Sequence, residues 1–184
     1  MFRDLAQMTI FQISTKDTMK STTFIAICAS LVASAAWGQT PAAPTALPPV
    51  YGTPINLAQA QKAMAAAEAE AKKNNWNVAI VVVDSGSHMV MMQRLDGTQL
   101  ASIDIAKGKA TTANSFRRPS KALEDTVAGG GAGLRILAVP GVMPLEGGVP
   151  IVLDGKIIGA VGVSGVTSAQ DAQVARAGAE GAIK

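Results

Sequence analysis

The chain has 184 residues, enough for one domain with a sizeable core. Apolar residues make up 48% and charged residues 16%, a balance that excludes a disordered chain. The net charge is only +3, and no Lys/Arg cluster exists beyond Lys72-Lys73 and Arg117-Arg118, which argues against a nucleic-acid partner.

In chain order, residues 1–38 read as an N-terminal extension and secretion signal. Met19-Lys20 supply a short basic start, and Phe24–Ala36 form an apolar run too short to span a bilayer. Ala36-Trp37-Gly38 offer a cleavage site before Gln39. Residues 1–18 carry Asp4 and Asp17, so Met19 is the expected start, the alternative being a long but functional leader. Cys28 is the only cysteine, and Ile27 before it does not suit a lipid anchor. Cleavage would leave a chain without thiols, with thirteen basic and eleven acidic residues after loss of Arg3, Lys16, Lys20, Asp4 and Asp17. The expected location is periplasmic or secreted, with no stable membrane anchor.

Residues 39–54 hold five of the nine prolines and read as a semi-rigid linker, so the folded domain is expected over 55–184. Asn56 and Gln59 form a capping box ahead of an alanine-rich helix over Leu57–Lys73, stopped by Asn74-Asn75. Trp76–Val83 and His88–Arg94 read as strands of a hairpin joined by Asp84-Ser85-Gly86-Ser87. Strict alternation would put Met89 and Met91 on one face and His88, Val90 and Met92 on the other. Helical spacing returns over Thr98–Ser115, with Ile103, Ala106 and Ala110 in line. Ser120 is expected to cap a short helix to about Ala128, followed by a flexible junction at Gly129–Gly133. Leu134–Leu145 stays open: Ile136–Val139 suits a short strand, while Pro140 and Pro144 limit pairing. Val149–Leu153 and Ile157–Val163 flank Asp154-Gly155, a two-residue turn signal, and form the expected central hairpin. Gly159 and Gly162 inside its return strand point to a bulge or to the close approach of another backbone or a ligand. Ser168, with Asp171 in the capping-box position, opens a last helix to about Ile183.

The chemistry is sparse. One histidine and a single cysteine in the signal exclude multi-histidine zinc sites and cysteine-held clusters. No nucleophile elbow accompanies His88, and the 129–133 glycines lack the Lys-Ser/Thr of a phosphate loop. Paired carboxylates such as Glu68/Glu70 and Glu124/Asp125 read as solvated helix faces. His88 is either a partly exposed imidazole bonded locally or an available axial ligand for a metalloporphyrin. The methionines beside it read as core filler.

Val81-Val82-Val83-Asp84-x-Gly86-x-His88, Arg94-Leu95-Asp96-Gly97, Ala106-Lys107-x-Lys109-Ala110-x-Thr112-Ala113, Gly147-Gly148-Val149-Pro150-Ile151 and Gly159-Ala160-Val161-Gly162-Val163-Ser164-Gly165 occur in one order, followed by Gln170-Asp171. This combination, spanning 55–184, resembles the GlcG/HbpS-like haem-binding family. Val166 departs from it, because members often carry another glycine there. The resemblance implies an α/β (α+β), profilin-like fold: one domain with an antiparallel sheet of about five strands and flanking helices, often a homo-oligomer. It also implies binding of haem or a related tetrapyrrole, in sensing, storage or handling. A binding module needs an axial ligand and cations for the propionates, which His88 (the metal ligand), Arg94, Lys107, Arg117 and Arg118 could supply. The hydroxyl of Thr112, or a methionine, is a weaker alternative ligand. Gly159 and Gly162 leave room for a haem slot beside the central hairpin. Binding is preferred to catalysis. The alternative is an accessory or processing enzyme acting on another cofactor, such as a cobalamin, or on a small metabolite.

N-terminal sequencing of the protein made in its native host should begin between Trp37 and Thr40. An intact Met1 in the cytosol would remove the export expectation.

Overall fold

The structure, a computed structural model, describes residues 47–184; the leader and the first part of the proline-rich linker lie outside the described residues. Helix α1 (Leu57–Lys73) begins where the capping box places it: Gln59 N–H donates to the Asn56 side chain at 2.9 Å, and Asn56 N–H donates to the Gln59 side chain at 3.1 Å. The described part of the linker is more than a spacer. Its Val50–Tyr51 form a short strand, β1, so the folded unit begins ahead of Ile55.

Strands β2 (Ala79–Asp84) and β3 (Met89–Arg94) form the first hairpin, and β4 (Gly148–Leu153) and β5 (Lys156–Ser164) form the second. Asp154 (φ 50°) and Gly155 (φ 73°) make the tight turn between the latter two, as the dipeptide predicts. β5 is central: β4 runs antiparallel along one edge and β2 along the other, with β3 outside β2. β1 continues β2's side of β5 in parallel, with Val50 opposite Lys156. The result is a mixed α+β fold with a five-stranded open sheet and flanking helices, as expected except that β1 is parallel.

Cross-strand partners share a face, and the two faces differ. Val78, Ile80, Val82, Val161 and Val163 pack under α1 and α4 (Ser168–Gly181). Ala79, Val81, Val83 and Ala160 pack under α2 (Ser102–Ser115) through Ala106, Ala110 and Ala113. Gly148 and Gly162 lie directly opposite one another in the β4–β5 ladder. A side chain on Gly162 would collide with the Ala106 carbonyl, and one on Gly148 with the Lys109 carbonyl. These two glycines therefore form a bare floor on which the backbone of α2 rests, the close approach anticipated from the glycines of β5.

Four expectations are corrected. Ser120 does precede helix α3 (Lys121–Ala128), but its hydroxyl does not cap it; that oxygen donates to Leu145 O at 2.6 Å and accepts from Gly148 N at 2.8 Å, stapling the entry to β4. Gly131–Ala138 is a 3-10 helix, so Ile136–Val139 is no strand, and Gly130 and Gly131 supply the positive φ angles that start it. The capping box of α4 is Thr167 with Gln170, one residue earlier than Ser168 with Asp171. In β3 the register slips: Val82 faces Met91 and Val83 faces Met89, leaving Val90 as an extra, bulged residue. Strict alternation fails there. Val90 and Met91 pack against the α1/α4 core, while Met89 and Met92, opposite Val83 and Val81, share the α2 side.

Displaced from its cap, Asp171 is buried and accepts from Lys109 Nζ at 2.8 Å, with both side chains at most 3% exposed. Burial pushes the Asp171 carboxyl up, and the Lys109 ammonium and the N–H groups of Val166 and Gly165 pull it back. A pair of this kind is hardly better than apolar packing, but breaking it leaves one uncompensated buried charge. Lys109→Met should therefore lose about 3–5 kcal/mol near neutral pH in urea unfolding. With its carboxyl then raised further above the unfolded value, the variant should recover stability as pH falls and Asp171 takes a proton. The Lys109→Met/Asp171→Leu double variant should restore most of the loss; no recovery would show that the pair is not what links α2 to α4.

Candidate functional site

The β2–β3 turn is shaped by Asp84, whose Oδ1 accepts from Gly86 N at 2.8 Å and His88 N at 2.9 Å. This side-chain turn, with Ser87 at φ 67°, aims His88 outward. Its imidazole is 83% exposed and leans back toward Asp84, with Nδ1 3.5 Å from Oδ1. The end of α2 clamps the same turn: Asn114 Nδ2 donates to Ser85 O at 3.1 Å and to Ser87 Oγ at 2.8 Å. Asn114 Oδ1 is buried without a partner. Tyr51 Oη in turn donates at 2.9 Å to the Asn114 carbonyl, which also accepts from Arg117 N at 3.1 Å.

Helix α2 runs back along the hairpin from this clamp. Its N-terminal Ser102 meets Ser164, which lies opposite Ala79, itself opposite Arg94. The helix packs over β5, β4 and β2, and β3 lies one strand further out. Ile103 and Lys107 lie on the same flank of α2 as Asn114, by their spacing of four and seven residues. This flank borders the bare α2-side face of β3, where Met89 is 53% and Met92 42% exposed. On this face of β3 the two methionines are exposed, with His88 just before the strand and Arg94 at its end.

Of the six residues singled out from the sequence, His88, Arg94 and Lys107 are exposed, the first two at the ends of β3 and the third on the flank of α2 that carries Asn114. Arg117 sits beyond the His88 end in a left-handed conformation (φ 54°). It donates to Pro49 O at 3.5 Å and lies 5.9 Å from the Tyr51 ring centroid, so it already has partners. Arg118 turns its Nε back to Phe116 O at 3.1 Å. Thr112 is on the opposite flank of α2, buried, its hydroxyl accepting from Met143 N at 2.8 Å. It is not available as a ligand in this conformation. Sequence reasoning missed Asn114 and the Lys109–Asp171 pair. Lys109 carried a signal: it falls in the apolar stripe of Ala106, Ala110 and Ala113, where a lysine requires a carboxylate. Asn114 carried none, because its partners lie in a turn brought to it by the sheet.

A cleft of about 470 Å³ lies at the end of α1, bordered by Glu68, Lys72, Trp76, Gln93, Arg94 and Asp96. Its walls are mainly polar, with Glu68 held below the usual carboxylate range by Lys72 and Gln93. It suits small polar solutes better than a flat apolar ring.

The family model described as "Haem degrading protein HbpS-like" matches residues 55–180, and the chain belongs to this family. Within it, the chain is similar to protein GlcG of Escherichia coli, at 46% identity over 114 residues, 61% of this chain and 84% of that protein. Among solved structures, HbpS superposes with a TM-score of 0.65 at 32% identity, covering 71% of this chain and 92% of its own. PduOC, solved as a haem complex, superposes with a TM-score of 0.64 at 26% identity, covering 70% and 95%.

Proposed function

We propose that this chain is an exported, non-enzymatic binding protein for haem or a related tetrapyrrole, acting in haem sensing, storage or handling as a homo-oligomer. The observation that carries the reading is the exposed side of β3: two solvent-exposed methionines between an exposed imidazole and a guanidinium that has no ion-pair partner among the described residues. A metalloporphyrin asks for the same three features, an apolar surface for its ring, a nitrogen ligand for its iron and cations for its propionates. The haem complex of PduOC and the family's description as haem degrading support the assignment. His88 would hold the iron; bound there, the group would supply one-electron and oxygen chemistry. The chain's own contribution is orientation. Asp84 and Asn114 fix the turn that carries His88, and Arg94 and Lys107 meet the negative charge. Export rests on the N-terminal sequence, and self-association on the apolar surface left at β3 and at Leu134, Leu137 and Val139.

Hemin titration of the protein should give a saturable Soret band. His88→Ala should shift that band, and Arg94→Ala should weaken binding by about 1.5–3 kcal/mol, the range for a hydrogen bond to a charged group. Thr112→Val should leave the spectrum unchanged. A shift with Thr112→Val and none with His88→Ala would move the ligand to the far side of α2. No saturable binding by the wild type would favour a different cofactor or a small metabolite.

A further inference from the structure

Helix α1 ends in a motif that builds one side of the cleft beside it. Asn75, in a left-handed conformation (φ 57°), donates its N–H to Lys72 O at 3.1 Å, and Trp76 donates its own to Ala71 O at 3.0 Å. This paired closure is a Schellman turn, with asparagine at the position glycine most often takes. It sets Trp76, half-buried, against the α1/α4 core and in the wall of the cleft. The turn after β3 builds the other side. Leu95 packs on the same core, its N–H donates to Val78 O at 3.0 Å, and its carbonyl accepts from Thr98 N at 3.2 Å and Thr98 Oγ1 at 2.7 Å. Leu95 is thereby anchored, and Arg94 and Asp96 border the cleft on either side of it.

The cleft's charges balance in number but not in pairing. Glu68 accepts from Lys72 Nζ at 2.6 Å, so these two satisfy one another. Arg94 and Asp96 have no ion-pair partner among the described residues, and they do not meet although only Leu95 separates them. A simple anion would answer the guanidinium alone, and a simple cation the carboxylate alone. We propose that this cleft binds a small zwitterion, an α-amino acid or a betaine. Arg94 meets its carboxylate through paired, charge-assisted hydrogen bonds, and Asp96 meets its ammonium. The Trp76 ring is a further partner for the ammonium, strongest where that group is methylated. The cleft's volume of about 470 Å³ lies within the roughly 300–1,000 Å³ of small-molecule sites, enough for the charged groups and a side chain. The site shares only Arg94 with the face proposed for haem and does not depend on haem binding.

Saturation-transfer NMR of the full chain with glycine betaine and with each common L-amino acid, followed by calorimetric titration, tests the assignment. At least one of these zwitterions should bind saturably, while acetate and tetramethylammonium, which each carry one of the two charges, should not. A preference for glycine betaine would assign the methylated source, and a preference for an amino acid the other. Arg94→Gln and Asp96→Asn should each weaken binding at least about tenfold, the lower end for a hydrogen bond to a charged group. Both residues are exposed, so the circular dichroism should not change. Asp96→Asn separates this site from the haem reading, because it should lose the zwitterion and keep any hemin binding. A wild type that binds a zwitterion but no hemin would sustain this site alone. No saturable zwitterion, acetate bound as tightly, or wild-type affinity in Asp96→Asn would overturn it.

Discussion

The bare floor formed by Gly148 and Gly162 is the constraint on which the rest of the architecture depends. Two glycines opposite one another leave no side chains between the sheet and the backbone of α2, so the helix settles on β5 closer than any larger residue would permit. From that position its stripe of alanines fills the narrow space. Its lysine reaches the carboxylate of α4, and its last turn reaches the loop between β2 and β3. A helix raised by the depth of one methyl group would lose all three attachments together.

The same placement explains why one strand is left bare. On one side of the sheet, α1 and α4 together cover β2, β5 and the inner side of β3, with Val90 and Met91 turned into the core. On the other side, among the described residues, α2 alone is drawn down over β5 by the glycines. A single helix cannot also reach the outer strand. Met89 and Met92 stay in solvent, an arrangement that the bulge at Val90 enforces by turning both to the same side. Exposed apolar surface on a folded domain is more informative than buried apolar surface, because burial is the default for such residues.

Polar groups in the interior are placed with similar economy. Lys109 and Asp171 join two helices on opposite faces of the sheet past its Gly147 end, where the absence of a side chain leaves them room. Ser120, freed from capping, ties the start of β4 to the loop at Leu145. In both cases a group that local rules assign to a helix end serves a contact between distant segments instead.

Much of this was legible in the sequence, for reasons that are local. The capping box of Asn56 and Gln59, the turn at Asp154-Gly155, the apolar runs of both hairpins and the helical spacing of the alanines each act within a few residues. They determined the elements and the hairpin pairing, and the ordered motifs from Val81 to Asp171 marked the family. Three things were decided only by tertiary structure. The slip at Val90 depends on how β3 meets β2, so alternation alone put Met89 on the wrong face. Thr112 and Lys107 look equally available along the chain, and only the seating of α2 buries one against Met143 and exposes the other beside β3. Asp171 fits a cap by spacing, but the lysine that claims it lies 62 residues away. Local sequence specifies what a segment becomes; which of its sides meets water depends on contacts between segments that no short-range pattern encodes.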